Sequence, residues 1–235
     1  MKSIGRTKHK SLIKINEKTL LENILFNLSQ FGIKDHVIAT GYKENSIKKI
    51  LKKYKNLNFK LVNIKNFKTR GSSYSLFKAS KYCLNYKNIL MTHADIFFDN
   101  LLLKKVIDCK KKNVIGYVKK KHINISEKGF IIKFDKTKEI QKLDLKKNFK
   151  KKTNNEIICI NKFTNIKLKK LREYLKKYFK DNDNRQTWEV PFNLFINKNN
   201  EKFYAAGLKN KFWFNINTYE EMMNAKKYYL ENLKI

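Results

Sequence analysis

Apolar positions come in short blocks along this chain, and their spacing switches repeatedly between period two and helical spacing. Residues 18–32, KTLLENILFNLSQFG, place Leu20, Leu21, Ile24, Leu25, Leu28 and Phe31 on one helical stripe, with Gly32 as the stop. SLIKI (11–15) before it reads as a short strand. After it come a strand at 36–40 (HVIAT), a helix at 44–54, a strand at 59–64 (FKLVNI) and a polar loop, NFKTRGSS. A helix over 73–84, an apolar strand NILMTHAD (88–95), a helix at 101–111 and a strand NVIGYV (113–118) complete the first half.

Beyond residue 120 the rhythm changes. Residues 128–145 carry apolar runs on either side of DKTKE and predict a hairpin, and NEIICINKF (155–163) predicts another strand. A helix at 168–179, the polar turn DNDNRQ, a helix at 188–197, short strands near KFYAA and FWFNI, and a helix from Tyr219 follow. Alternating strands and helices predict an α/β fold, with a mostly parallel mixed sheet flanked by helices and a small β-rich extension in the second half. No repeat or linker interrupts the chain, so 1–235 is expected to form a single domain, with halves at 1–118 and 119–235.

Composition changes this picture little. With 235 residues, 42% of them hydrophobic, the chain is long enough to bury a sizeable core. No run of about 18 uncharged apolar residues occurs, and MKSIGRTKHK lacks the apolar stretch of a secretory signal, so a cytoplasmic protein without a membrane span is expected. Cys83, Cys109 and Cys159 are widely separated and show no zinc-type spacing.

The formal charge of +34 invites a nucleic-acid reading. Only Arg6, Arg70, Arg172 and Arg185 are arginine, however, and the lysines spread along nearly every segment. The runs at 110–112, 119–121 and 150–152 lack interleaved aromatics for base stacking, so they read as solvated surface, and no nucleic-acid partner is expected. A positive surface still concentrates anionic substrates.

Candidate chemistry gathers at strand ends, where open α/β sheets bind ligands. Asp95 closes an apolar strand; it suits a hard divalent cation bridging phosphates, and it equally suits a turn or helix cap. His93 reads as a packed histidine. Lys8, His9, Lys10 and Lys14 form a basic cluster, and Lys10 suits a phosphate contact or plain solvation. Gly71 and Ser72 fit either a close backbone approach to a ligand or an ordinary loop before a helix. Trp188 and Glu189 follow a polar turn. Asn215 and Asn217 end a strand, and Thr218 with Glu221 has capping-box spacing.

The order of these pieces resembles the nucleotidyltransferase family that joins nucleoside triphosphates to sugar 1-phosphates, phosphocholine and related acceptors. KHKSLIKINEKTLLENIL resembles the family's lysine segment and first helix, HVIATGYKENSI its second strand, and KTRGSSYSLFKA its nucleotide-contacting loop. MTHADIFFD resembles the strand bearing the metal-binding aspartate; TWEV and FWFNINTYEEMMNA resemble the substrate-side and closing motifs of the phosphocholine and sugar cytidylyltransferase branch.

The resemblance implies a Rossmann-like fold, a Mg2+ cofactor, and an NTP (CTP or another) with a phosphorylated small-molecule acceptor. It makes Lys10 and Asp95 catalytic, places Gly71 and Ser72 against the nucleotide and Trp188 and Glu189 against the acceptor, and makes Asp95, Asn215 and Asn217 the metal-binding set. It also implies a role in surface polysaccharide or lipopolysaccharide assembly. The chain departs from the family by having asparagine in the closing motif, where an acid is usual. The family's opening strand and Gly-rich loop also have no counterpart, so Met1 is expected to be an internal methionine of a longer protein. Those departures keep a second reading open, a catalytically inactive binding or regulatory domain, while charge alone motivates a third, a nucleic-acid-binding protein.

Overall fold

The computed structural model describes residues 9–119, 129–149, 153–199 and 201–232. Lys8, the lysines at 120–121 and those at 150–152 lie outside the described residues. Helix α1 (Leu20–Ser29) is opened by Thr19, whose hydroxyl accepts from the Glu22 amide at 3.2 Å while the Glu22 carboxylate accepts from the Thr19 amide at 2.9 Å. Gly32 ends the turn after it with φ 69°, where a side chain would be strained.

Strand β1 (Asp35–Thr40), α2 (Glu44–Leu51), β2 (Asn58–Asn63) and α3 (Ser72–Ser80) follow. The next apolar run divides into β3 (Asn88–Thr92) and β4 (Ile96–Phe98). Then come α4 (Asn100–Ile107), β5 (Val114–Lys119), the expected hairpin β6 (Phe130–Phe134) and β7 (Ile140–Leu145), and the long β8 (Asn155–Thr164). Helices α5 (Asn165–Asp181) and α6 (Glu189–Lys198), strands β9 (Tyr204–Lys209) and β10 (Trp213–Asn215), and α7 (Tyr219–Asn232) complete the chain.

The larger sheet runs β7-β6-β8-β5-β9, with β3 also paired to β8. Strands β3, β5 and β6 are antiparallel to β8, and β9 is parallel to β5, so only β7 and β8 oppose the common direction. Strands β1 and β2 form a separate parallel pair, and β4 pairs antiparallel with β10. The α/β class and the mixed sheet expected from the pattern are found.

Side chains alternate faces along β8. Ile157, Cys159 and Phe163 pack with α5, α6 and the fully buried Trp188, Phe192 and Phe203; Ile158 and Ile160 pack with α1, α4 and Ile96. Helices therefore cover both faces of the sheet.

Two expectations change. SLIKI is no strand: residues 10–12 form a turn of 3-10 helix, and only Lys14 bridges, to Thr19. Ile13 and Ile15 are buried against Phe97 and Ile216, so the apolar pattern there reports burial rather than a ladder. NILMTHAD is also not one strand. It stops at Thr92, and the chain breaks at 93–95 before re-entering as β4.

Candidate active site

Three local features place the site. The break at 93–95 lies beyond the carboxyl end of β3, as the strand-end rule requires. Beside it β8 is irregular: its register against β5 shifts between Ile115 and Tyr117, and Cys159 has φ 55°. The Cys159 carbonyl accepts from the His93 amide at 3.3 Å, which turns the chain out of β3. On the other side, β10 pairs with β4, the Asp95 carbonyl accepts from the Ile216 amide at 2.8 Å, and Asn215 and Asn217 arrive beside Asp95.

The Asp95 carboxylate lies 3.7 Å from Lys10 Nζ and 3.7 Å from His93 Nδ1. Lys10 Nζ in turn donates to Asn217 Oδ1 at 2.6 Å. The Asp95 side chain is 23% exposed and that of Lys10 32%, so this pair adds little stability and stays open to a ligand. Asp95 does not cap the following helix. That role belongs to Asp99, whose carboxylate accepts from the Leu101 amide at 2.8 Å. Asn217 is fixed from behind, because the Glu221 carboxylate accepts from the Asn217 and Thr218 amides at 2.7 and 2.8 Å, with the Thr218 hydroxyl closing the expected capping box.

Glu189 opens α6 on the far side of His93, and Trp188 meets the His93 ring edge-on at 6.0 Å. Donor atoms of His93, Cys159 and Glu189 lie within 4.8 Å of one another. Burial, then the Glu189, Asp95 and Glu156 carboxylates, push the Cys159 thiol well above the usual range. As a thiol it points at Glu189 Oε1, 3.9 Å away, as a weak donor. Glu189 Oε2 and Asn215 Oδ1 are buried without a hydrogen-bond partner among the described residues, which leaves two acceptors for a bound group.

A cavity of about 1040 Å³ joins these parts. Lys10, Ser72, Asp95, Trp188, Glu189, Asn215 and Asn217 all line it, together with His9 and His93. Gly71 does not. Its backbone lies against the polar turn: the Gly71 amide donates to Asn184 O at 2.7 Å, and an added Cβ would sit 2.0 Å from Gln186 O. Packing thus gives Gly71 a reason of its own. Ser72 accepts from the Trp188 amide at 2.9 Å, which ties the α3 loop to the Trp-Glu segment. Sequence reasoning missed two neighbours. His93 reads as a packed histidine and stands between Asp95 and Trp188; Cys159 reads only as a cysteine without zinc-type spacing, because nothing local announces the irregularity in β8.

A family model described as nucleotidyl transferase matches residues 1–232, and the chain belongs to that family. No curated protein shows significant sequence similarity to it. Among solved structures it is similar to the inositol-1-phosphate CTP transferase from T. maritima, at 13% identity and TM-score 0.76 over 99% of this chain and 91% of that one. It is also similar to the CTP:phosphocholine cytidylyltransferase from Streptococcus pneumoniae, at 15% identity and TM-score 0.74 over 94% and 90% of the two chains. A UDP-glucose pyrophosphorylase complexed with UDP-glucose matches at 15% identity and TM-score 0.75, over 97% and 92%. These likenesses carry the Rossmann-like fold.

Proposed function

We propose that the protein is a Mg2+-dependent nucleotidyltransferase that transfers a nucleoside monophosphate from an NTP to a sugar 1-phosphate or phosphocholine-like acceptor and releases pyrophosphate. The observation that carries this reading is the convergence of Lys10, Asp95, Asn215 and Asn217 at one mouth of the cavity, with Glu189 and Trp188 across His93 from them.

The donors suit a hard cation: a carboxylate on Asp95 and amide oxygens on Asn215 and Asn217, that of Asn215 buried and unpartnered. Asp95, Asn215 and Asn217 would hold Mg2+, which when bound neutralises charge on the triphosphate. Lys10, already anchored on Asn217, offers its ammonium to a phosphate and to charge that develops at the α-phosphorus. An acceptor phosphate is itself the nucleophile, so orientation does most of the work and no proton-abstracting triad is needed. Glu189 Oε2 orients the acceptor, and the buried Trp188 holds the His93 ring edge-on beside it. Ser72 borders the nucleotide side. CTP is the first NTP to test, and the product is assigned to surface polysaccharide or lipopolysaccharide assembly.

The test is pyrophosphate release from a panel of NTPs crossed with phosphorylated acceptors. One pairing should turn over in the presence of Mg2+, and Asp95→Ala should lower its rate by about 10³-fold at an unchanged melting temperature. Undiminished turnover in that variant overturns the site; silence across the panel favours the inactive binding domain.

A further inference from the structure

Three chemically unlike side chains meet beside the oxygen donors of the Asp95 cluster. One ring nitrogen of His93, the Cys159 sulfur and a Glu189 carboxylate oxygen lie within 4.8 Å of one another. Around a tetrahedral zinc ion, bonds of about 2.0–2.3 Å set neighbouring ligand atoms about 3.5 Å apart. The Cys159 sulfur and Glu189 Oε1 already stand at 3.9 Å. Closing the trio on an ion therefore needs a contraction of about 1 Å, on the scale of a rotation of the His93 and Glu189 side chains.

The irregularity in β8 brings these distant positions together. Cys159 has φ 55°, a region that a side chain rarely adopts, and such strain persists where the surrounding structure enforces it, often at functional sites. Its carbonyl accepts from the His93 amide, which ties the first two residues to each other. Glu189 opens α6, and that end of the helix is held by the Trp188 amide donating to the Ser72 hydroxyl. Glu189 Oε2 is buried without a hydrogen-bond partner among the described residues, so it is an acceptor left over for a bound group. His93 and Glu189 both line the cavity, which gives an ion its way in and leaves room for a water as fourth ligand.

Donor chemistry separates this trio from Asp95, Asn215 and Asn217. Mg2+ takes oxygen ligands, whereas a sulfur, an imidazole nitrogen and one carboxylate suit a softer ion such as Zn2+. The Glu189, Asp95 and Glu156 carboxylates near the sulfur oppose a bare thiolate, and the same negative charge favours a dication bound to it. We propose that His93, Cys159 and Glu189 form a second metal site, one that takes Zn2+ or a similar transition-metal dication and is distinct from the oxygen-only set at Asp95. On binding, an S–Zn bond forms as the thiol proton leaves to solvent, and no oxidation state changes. Asp95, 3.7 Å from His93 Nδ1, borders the site as an outer partner of the ring. Glu189 is also the proposed acceptor contact, so on that reading bound Zn2+ and bound acceptor exclude each other. The site itself stands on geometry and donor type and is independent of the proposed reaction.

Metal binding to the full chain tests it. After removal of metals with a chelator and dialysis, Zn2+ titrated in competition with a chromogenic chelator should fill one site per chain in the presence of excess Mg2+. Co2+ in its place should give a thiolate-to-metal charge-transfer band in the near ultraviolet. Cys159→Ala should abolish that band, and His93→Gln and Glu189→Gln should each weaken Zn2+ binding at least about tenfold. Cys83 and Cys109 remain in all three variants, so a lost band or lost affinity is not theirs. Asn217→Ala should leave both the band and the affinity unchanged. If Cys159→Ala does not fold, by circular dichroism, the His93 and Glu189 variants carry the test. Failure to bind Zn2+ stoichiometrically, a Co2+ complex without the band, or an affinity that falls with Asn217→Ala and not with His93→Gln overturns the proposal. No readout depends on NTP turnover, so a failed catalytic assay leaves this result interpretable.

Discussion

Asp95 sits where three separate segments compete for it. Lys10 comes from the turn before α1, His93 from the β3 break and Asn217 from the cap of α7, and the Lys10 ammonium lies near both Asp95 and Asn217. An amide oxygen brings no formal charge to a cation, so Asn217→Asp should strengthen metal binding. The expected outcome is a severalfold lower Mg2+ concentration at half-maximal pyrophosphate release; an unchanged or higher requirement removes Asn217 from the metal set. His36 bears on stability instead. It is buried against Phe59, with ring centroids 5.5 Å apart, and burial lowers its pKa from 6.5 against the opposing pull of the Ile33 carbonyl and Asp35. The unfolded chain therefore takes up this proton first as pH falls. His36 costs nothing above its unfolded pKa, and stability is lost as pH drops below 6.5 through the lowered folded value. Thermal melts between about pH 7.5 and 5 should show a flatter dependence in His36→Leu than in the parent.

At the scale of elements, the polar turn before α6 and the start of α3 form one unit. The Gly71 amide, the Ser73 hydroxyl and the Ser72 hydroxyl all bond into residues 184–188, and a side chain at 71 would collide with the Arg185 and Gln186 carbonyls. Gly71→Ala should cost about 2 kcal/mol or more, read as a lower melting temperature, because backbone rather than a mobile side chain must move. A melting temperature within error of the parent contradicts that packing. The elements also show how far the sequence could be read. The stripe from Leu20 to Leu28 and the Thr218–Glu221 box predict α1 and the start of α7 because their signals are local. The SLIKI and NILMTHAD readings failed because alternation and apolarity report burial, while ladder partners arrive from Thr19, β8 and β10.

For the molecule as a whole, the charge of +34 acts on ligands more than on fold. Salt shortens the reach of that field to about 8 Å at physiological ionic strength. Raising ionic strength from about 0.05 to 0.5 M should therefore increase KM for the NTP severalfold and leave kcat nearly constant. A fall in kcat at constant KM would mean that salt acts on the chemical step or on the fold. The cavity belongs to the same scale, since its walls come from strands of three sheets and from several helices that no single segment foreshadows.

By itself, the sequence determined the α/β class, most helices and strands, and the identity of the polar residues that line the cavity, because periodicity, caps and residue chemistry are local properties. The tertiary structure alone decided that Asp95 leaves β3 at a break instead of ending it, that Asp99 takes the capping role, that Gly71 serves the 184–188 turn, and that β1 and β3 line one cavity. Each of these depends on which distant backbone group satisfies a given N–H or C=O. Pairing at long range is a choice among many partners that a segment's own pattern does not encode.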